Sequence, residues 1–206
     1  MSGEQKLKEG DKIITQVETR NNVWLLFFTN RCQVYKCRAG DFADGKASLM
    51  GEFVPAALGM EPDEAPVYMA ITEEYKDHML FFFDNGKCAK VPMDSYATKQ
   101  NRKKLLKAYS DKAPLVQALQ LAEETELAIQ TSAGRLLLVG TAQIPAKQTR
   151  DTAGVAVITL KKNQTITSIR PASELELANP HRYRVRTLPA AGALLRAEDT
   201  AEQMSF

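Results

Sequence analysis

Cysteine and histidine are scarce in this chain of 206 residues, which has three cysteines and two histidines. Cys32, Cys37 and Cys88 are odd in number and form no Cys-x-x-Cys pair, so their spacing fits neither a zinc site nor a disulfide framework. We predict that they are buried, reduced thiols. His78 and His181 lie far apart in the sequence, which argues against a histidine-based metal or catalytic site.

Long apolar runs and short catalytic motifs are also missing. No run approaches the ~20 apolar residues that cross a bilayer, and the polar first eleven residues contain no apolar region of a signal peptide. The sequence has no phosphate-binding glycine loop, no Gly-x-Ser-x-Gly and no His-Glu-x-x-His. These absences predict an intracellular protein without membrane contact and without a cofactor.

The sequence does contain a unit that recurs about every ~50 residues, a period typical of repeat architectures. Each copy is an apolar strand, a tight turn and a second strand, which is the pattern of a β-hairpin. The copies occupy residues 27–36, 81–90 and, more loosely, 129–138. Gly86 and Gly134 fall where such a turn needs positive φ, and the first copy has Arg31-Cys32 there instead.

A second repeated element lies between the hairpins, as strips at residues 12–17, 66–71, 115–120 and 164–169. Apolar and polar residues alternate clearly in the first and last strips, which predicts half-buried strands with one face on a core. One repeat is therefore about four strands. Because so small a sheet must pack on its neighbours, the pattern predicts radially arranged, propeller-like blades.

Residues 101–126 allow two interpretations. Local propensity favours a helix, because residues 102–107 and 115–126 are mostly good helix formers. Pro114 interrupts the stretch, and the repeat places strands in it. We predict strands.

The net charge is only +2, but basic residues gather in three segments, at residues 99–112, 147–162 and 182–186. Residues 99–107 of the first and 147–150 of the second would occupy the same place in successive blades and form a basic strip, as in a protein that follows a phosphate backbone. The arginines of the third alternate with other residues, so an extended backbone would put all three on one face. A solvated loop is the alternative for any single segment. The candidate phosphate contacts are Lys99, Arg102, Lys103, Lys104, Lys107, Lys147 and Arg150, followed by Lys161, Lys162, Arg182, Arg184 and Arg186.

The hairpins, the basic loops and the segments that lead into alternating strands together resemble the C-terminal domain of bacterial type IIA topoisomerase A subunits, from DNA gyrase or topoisomerase IV. The resemblance lies in their order and spacing. The matching pieces are residues 7–11, 26–36, 79–91, 127–139 and 152–162. The resemblance implies an all-β fold, a β-pinwheel of about three to four four-stranded blades that exchange strands with their neighbours. We expect this domain at residues 1–178, and an extension at residues 179–206 that ends in a mobile acidic tail from Glu198.

The same resemblance implies a function in the bacterial cytoplasm, at the nucleoid. A basic rim would bind and bend duplex DNA and present it for strand passage in an ATP-dependent topoisomerase. The partners would be the ATPase B subunit, together with the other domains of the A subunit. The chain would be an excised, non-catalytic domain. The Gln-Arg-Arg-Gly-Gly-Lys-Gly box of gyrase is absent, and the hairpins are fewer than in a six-bladed gyrase domain. Both departures favour topoisomerase IV over a gyrase domain with a degenerate box.

Two other functions stay open. A propeller-like scaffold for protein interactions would use an apolar patch, although half-buried linkers between blades are the simpler explanation of its residues. That patch comprises Phe53, Val54, Pro55, Ala56, Ala57, Leu58 and Met60. An enzyme would need an acid–base or nucleophile constellation that the sequence does not offer. Aromatic residues at strand spacing are assigned to the core rather than to base stacking: Trp24, Phe27, Phe28, Tyr35, Phe81, Phe82 and Phe83.

Overall fold

The computed structural model describes residues 7, 9–46, 50–99 and 102–200. These residues belong to two compact units, which we describe separately. The first unit lies within Met1–Glu74 and Lys99–Leu106, and the second within Tyr75–Thr98 and Lys107–Phe206.

The secondary structure of the described residues is nearly all β. The strands are β1 (Trp24–Thr29), β2 (Val34–Arg38), β3 (Pro66–Thr72), β4 (His78–Phe83), β5 (Lys87–Pro92), β6 (Lys104–Leu105), β7 (Leu115–Leu121), β8 (Glu126–Thr131), β9 (Arg135–Gly140), β10 (Val155–Ala156), β11 (Ile166–Pro171) and β12 (Ala193–Leu194). Two short helices are α1 (Val54–Ala57) and α2 (Ala197–Thr200). Short 3₁₀ helices occupy Ala39–Asp41, Met93–Tyr96, Thr141–Gln143, Ala172–Glu174 and Pro180–Arg182.

The strands form three four-stranded antiparallel sheets, which we call blades 1, 2 and 3. Blade 1, in the first unit, has the order β3-β1-β2-β6. Blades 2 and 3, in the second unit, have the orders β10-β5-β4-β7 and β11-β8-β9-β12. The predicted all-β class and four-stranded blades are confirmed, and so are strands rather than a helix in the described part of residues 101–126.

Each predicted hairpin forms the two central strands of a blade. Its turn contains one residue in the left-handed region, with φ of +55° at Cys32, +79° at Gly86 and +66° at Gly134. Gly86 and Gly134 adopt this conformation without the steric cost that a Cβ imposes. Cys32 adopts it as well, so the repeat preserves the turn geometry even where it does not preserve the glycine.

The strand that follows each hairpin pairs with the hairpin's first strand, and we call these strands, β3, β7 and β11, the outer strands. In all three the pairing register shifts at the second residue, which is Val67, Val116 or Thr167. A residue left out of the ladder in this way forms a β-bulge. Three of the four predicted strips are therefore confirmed as strands.

The first strip was predicted wrongly. Residues 12–17 are exposed and form no regular secondary structure, although their alternation indicated a half-buried strand. The alternation describes which side chains a strand would bury, but a strand also needs a neighbour to pair with. In the blades that neighbour is a hairpin preceding the strip, and the described residues contain no hairpin ahead of residue 12.

The fourth strand of each blade is only two residues long and pairs with the hairpin's second strand. In blades 1 and 2 it comes after the next hairpin in the sequence, since β6 follows β5 and β10 follows β9. This order is the strand exchange that the resemblance implied. In blade 3 the fourth strand is β12, so residues beyond 178 contribute to a blade. The described part of the expected tail lies in α2, where Asp199 is 1% exposed.

The blades enclose apolar cores. Blades 2 and 3 share a core that contains Phe82, Leu121, Ile129 and Leu137. In blade 1, Val54, Leu58 and Met60 pack on the sheet, as expected for a half-buried linker, whereas Phe53 is 74% exposed. The aromatic residues assigned to the core are buried except for Trp24, which is half-buried. Cys37 and Cys88 are buried free thiols as predicted, while Cys32 is half-buried.

Candidate nucleic-acid interface

The three basic segments run beside the same strand position in their respective blades. In blade 1 the Lys36 amide donates to the Lys103 carbonyl, with an N···O distance of 2.7 Å. The Lys147 amide donates to the Lys90 carbonyl at 2.8 Å in blade 2. In blade 3 the Leu138 amide donates to the Tyr183 carbonyl at 2.8 Å. Residues 36, 90 and 138 end the three aligned hairpin repeats, so each basic segment touches the same place in its blade. The first segment runs antiparallel to its strand, whereas the other two run parallel to theirs.

Nine of the twelve candidate side chains are exposed and form no ion pair with any carboxylate of the described residues. They are Lys99, Arg102, Lys103, Lys107, Lys147, Lys161, Lys162, Arg182 and Arg186. Their positive charges are therefore available to an anion from solution. Lys104, Arg150 and Arg184 differ, because each is held by a neighbour.

Lys104 lies next to a buried carboxylate. Its Nζ is 5.2 Å from the centroid of the Tyr35 ring, and a hydrogen bond with Tyr35 together with the charges of nearby glutamates raises the pKa of Lys104. The Tyr35 hydroxyl donates to Glu64 Oε2 at 2.8 Å, and Thr29 Oγ1 donates to Glu64 Oε1 at 2.5 Å. The charge of Lys104 is thus partly offset within blade 1.

Glu64 is buried, with 3% exposure. Burial acts to raise its pKa, but the hydrogen bonds from Thr29 and Tyr35 and the charge of Lys104 outweigh burial, so the pKa of Glu64 is lowered. Glu64 was not among the residues predicted from the sequence. The repeat contains a signal for it, because Glu64 and Gln164 stand at the same place before β3 and β11. Each side chain accepts from the backbone amide three residues earlier, at 3.3 Å from Glu61 and 2.9 Å from Lys161.

Arg150 positions a loop. It is half-buried, and its Nη1 donates to the Ser95 carbonyl at 2.9 Å. Ser95 Oγ in turn donates to the Gln148 carbonyl at 3.0 Å. At the end of this loop Gly154 has φ of +74°, and a Cβ there would lie 2.2 Å from the Cys88 carbonyl oxygen. These contacts fix the loop of residues 147–154 against blade 2, with Lys147 on its surface.

The third segment is not one extended strand, so the condition for placing its three arginines on a single face is not met. Arg182 ends a 3₁₀ helix, and only Arg184 and Arg186 alternate around half-buried Val185. The segment bends because Tyr183 is buried and its hydroxyl donates to Asp199 of α2. Arg184 forms a bidentate pair with Glu126, at 2.8 Å from Nε and 3.3 Å from Nη2.

The part of the chain that the structure describes contains no group of three or more His, Cys, Asp or Glu side chains arranged to hold a metal ion. Within the same residues, no helix is long and apolar enough to cross a membrane.

Comparison with known proteins finds similarity to the same family that the sequence pattern resembles. Residues 125–173 match the family described as DNA gyrase C-terminal domain, beta-propeller. The chain resembles the C-terminal domains of topoisomerase A subunits. It is 29% identical over 93 residues to the gyrase A protein of Streptomyces coelicolor, a stretch that covers 44% of this chain. It is 21% identical over 187 residues to the gyrase A protein of Mycolicibacterium smegmatis, over 88% of this chain. The matches span only 11% and 22% of these two relatives.

Solved structures confirm the fold. The C-terminal domain of DNA topoisomerase IV matches with a TM-score of 0.72 at 19% identity, over 95% of this chain and 66% of that domain. The C-terminal domain of E. coli ParC matches with a TM-score of 0.69 at 15% identity, over 94% and 85%. The gyrase A C-terminal domain gives 0.60 at 14% identity, over 91% and 65%. The predicted β-pinwheel fold is confirmed.

Proposed function

We propose that this protein binds duplex DNA through its phosphates, as the non-catalytic accessory domain of a topoisomerase IV-like A subunit. The observation that carries this proposal is the equivalent position of the three basic segments beside residues 36, 90 and 138. Any one segment is explained as a solvated loop, but solubility does not require basic residues at the same place in every blade. A repeated basic position suits a ligand whose negative charge also repeats, and a phosphate backbone is such a ligand.

Backbone recognition also fits the side chains that are exposed. Lysine and arginine pair with phosphate regardless of base sequence, whereas sequence is read by groups that reach base edges in a groove. Apart from the half-buried Trp24, the aromatic side chains of the hairpins are buried, so they are not available to stack on bases. We therefore expect binding that depends on charge and on duplex shape.

Bending is the expected consequence of where the basic segments are attached. They are fixed to strands by backbone hydrogen bonds, so a duplex that contacts more than one blade must adapt to them. Bending a 20–30 bp site by 40–90° costs of order 1–6 kcal/mol, and phosphate contacts offset that cost.

The bent duplex would then be presented for strand passage at the nucleoid of the cytoplasm. It would be received by the other domains of the A subunit, working with the ATPase B subunit. Residues 99–104 and 147–154 are the stretches most similar to the Gln-Arg-Arg-Gly-Gly-Lys-Gly box of gyrase, but they lack its paired glycines. This difference supports the topoisomerase IV assignment over a gyrase-type domain.

A salt series with neighbouring lysine variants tests DNA binding. We expect the protein to bind an arbitrary duplex with an affinity that falls steeply as salt rises. Lys103→Gln should reduce the slope of log K against log salt by about 1 and weaken binding equally for all sequences. Lys104→Gln should reduce the slope by less, because the Lys104 charge is already partly offset by Glu64. Fluorescence anisotropy at several salt concentrations measures both slopes.

The two variants are matched, since both residues are exposed, adjacent and identical in type. A folded wild-type sample that fails to bind any duplex at low salt would refute the proposal. Tight binding to another protein that does not depend on salt, and that Phe53→Ala abolishes, would instead favour the interaction scaffold. Phe53 is the exposed large apolar residue of that patch.

A further inference from the structure

Large apolar side chains are exposed at two places in the blades, and both places recur from blade to blade. The first is the bulge of the outer strand, where Val67 is 47% and Val116 is 39% exposed. The second lies at the fourth strand, where Leu106 is 61% and Leu194 is 55% exposed. A single exposed leucine needs no explanation, but exposed leucines that recur beside the fourth strand suggest a contact.

The strand register shows that the two leucines are equivalent. The fourth strand of each blade pairs with the same residue of the hairpin repeat, which is Val34, Cys88 or Leu136. The partner in the fourth strand is Leu105, Val155 or Ala193. The next residue along the chain is exposed in every blade, and it is Leu106, Ala156 or Leu194. We call these three residues the edge position.

Positive charge distinguishes the edge position from the bulge. The residues that adjoin Val67 and Val116 in the chain include no lysine or arginine. At the edge position, a cation is near in the chain or lies across the strand pairing in every blade. These cations are Lys104 and Lys107 at Leu106, Lys87 at Ala156, and Arg135 at Leu194.

The leucines are attached to ordered backbone. Leu106 directly follows Leu105, which is 6% exposed. Leu194 pairs with Arg135, whose Nη1 donates to the Gly192 carbonyl at 2.7 Å. Each leucine therefore presents an apolar side chain to solvent at a fixed place among positive charges.

This combination matches one way in which proteins bend DNA. Cations hold the phosphates, and an apolar side chain such as leucine enters the minor groove between two base pairs and kinks the duplex by about 20–90°. We propose that Leu106 and Leu194 are wedges of this kind, which kink the duplex that the basic segments hold. Ala156 is too short to separate base pairs, so blade 2 has the edge position without a wedge. The inference rests on the proposed DNA binding and adds the source of the bend.

Energy transfer between fluorophores at the two ends of a short duplex measures the bend. The duplex carries thymine–adenine steps, which unstack easily. Leu106→Ser/Leu194→Ser should reduce the bend angle by at least about 20°. The slope of log K against log salt should not change, because no charge is removed. Leu106→Met/Leu194→Met should retain the bend, since methionine also serves as a wedge.

Val67→Ser/Val116→Ser is the matched control, because it removes two exposed apolar side chains from the bulge and none from the edge position. This variant should bend the duplex as the wild type does. An equal loss of bend in both serine variants would overturn the proposal, since the effect would not depend on position.

The remaining outcomes separate the wedges from DNA binding itself. A bend that the leucine-to-serine variant keeps, or binding without any bend, would overturn the wedges and leave phosphate binding intact. A folded wild-type protein that binds no duplex at low salt would refute the proposed function, and the wedges with it. A lower molar mass of the serine variant than of the wild type in sedimentation without DNA would assign the leucines to contacts between copies and would also overturn the proposal.

Discussion

Gly154→Ala is expected to lower the free energy of unfolding by about 3–5 kcal/mol. Part of this cost, about 1–2 kcal/mol, comes from an alanine in the left-handed region, where Gly154 has φ of +74°. The larger part comes from the backbone of β5, because a Cβ would lie 2.2 Å from the Cys88 carbonyl oxygen and 2.6 Å from the Ala89 nitrogen. Strand backbone cannot move aside as a flexible side chain can, so the loop of residues 147–154 must separate from blade 2. Urea denaturation measures the change.

Gly134→Ala is the matched control. Gly134 has φ of +66°, but a Cβ there would meet no atom within 4 Å. We expect this variant to lose only the conformational part, about 1–2 kcal/mol. Equal losses in both variants would show that the contact with β5 is unimportant. If the DNA proposal is correct, Gly154→Ala should also weaken DNA binding, since the displaced loop carries Lys147.

Removing the buried carboxylate of blade 1 is the second change with a large expected effect. Glu64→Ala removes the buried carboxylate to which the hydroxyls of Thr29 and Tyr35 donate. A buried polar group left unsatisfied costs about 1–3 kcal/mol, so the expected loss for the two groups is of order 3 kcal/mol. Glu61→Ala, at an exposed glutamate in the same turn, should change stability by less than about 0.5 kcal/mol. A loss from Glu61→Ala as large as that from Glu64→Ala would assign the effect to the turn and not to the carboxylate.

The same carboxylate makes stability depend on pH. Because the folded protein lowers the pKa of Glu64, its ionised form is the one that folding favours. The stabilisation is therefore fully present above the ordinary glutamate value of 4.5 and is lost as the pH falls through the lowered pKa of the folded state. The difference in unfolding free energy between wild type and Glu64→Ala should shrink as the pH falls below about 4.5. A difference that stays constant between pH 7 and pH 3 would contradict ionisation of Glu64.

The sequence predicted what depends on local pattern. Hairpins, three outer strands and the equivalent basic segments follow from residue spacing, because alternation and turn residues act over a few positions. The failures involve partners distant in the sequence. Residues 12–17 have the pattern of a strand but no strand beside them, and the run of Arg182, Arg184 and Arg186 bends because Tyr183 bonds to Asp199. Lys104 has the same local sequence context as Lys103, but the fold brings Glu64 close to Lys104, a relation with no short-range signal.

The two-residue fourth strands also determine the order in which the blades are completed during synthesis. Blade 1 has its hairpin and outer strand by Thr72, yet β2 is paired on both sides only when Lys104 and Leu105 have been synthesised. By then the hairpin of blade 2 has also been synthesised. Its second strand, β5, has no neighbour on its other side until Val155 and Ala156 follow. Blades 1 and 2 are therefore each completed during synthesis by the segment that follows the hairpin of the next blade. A truncation between Thr72 and Lys104 would expose the edge of β2 to pairing with other chains, so this domain cannot be shortened one hairpin at a time.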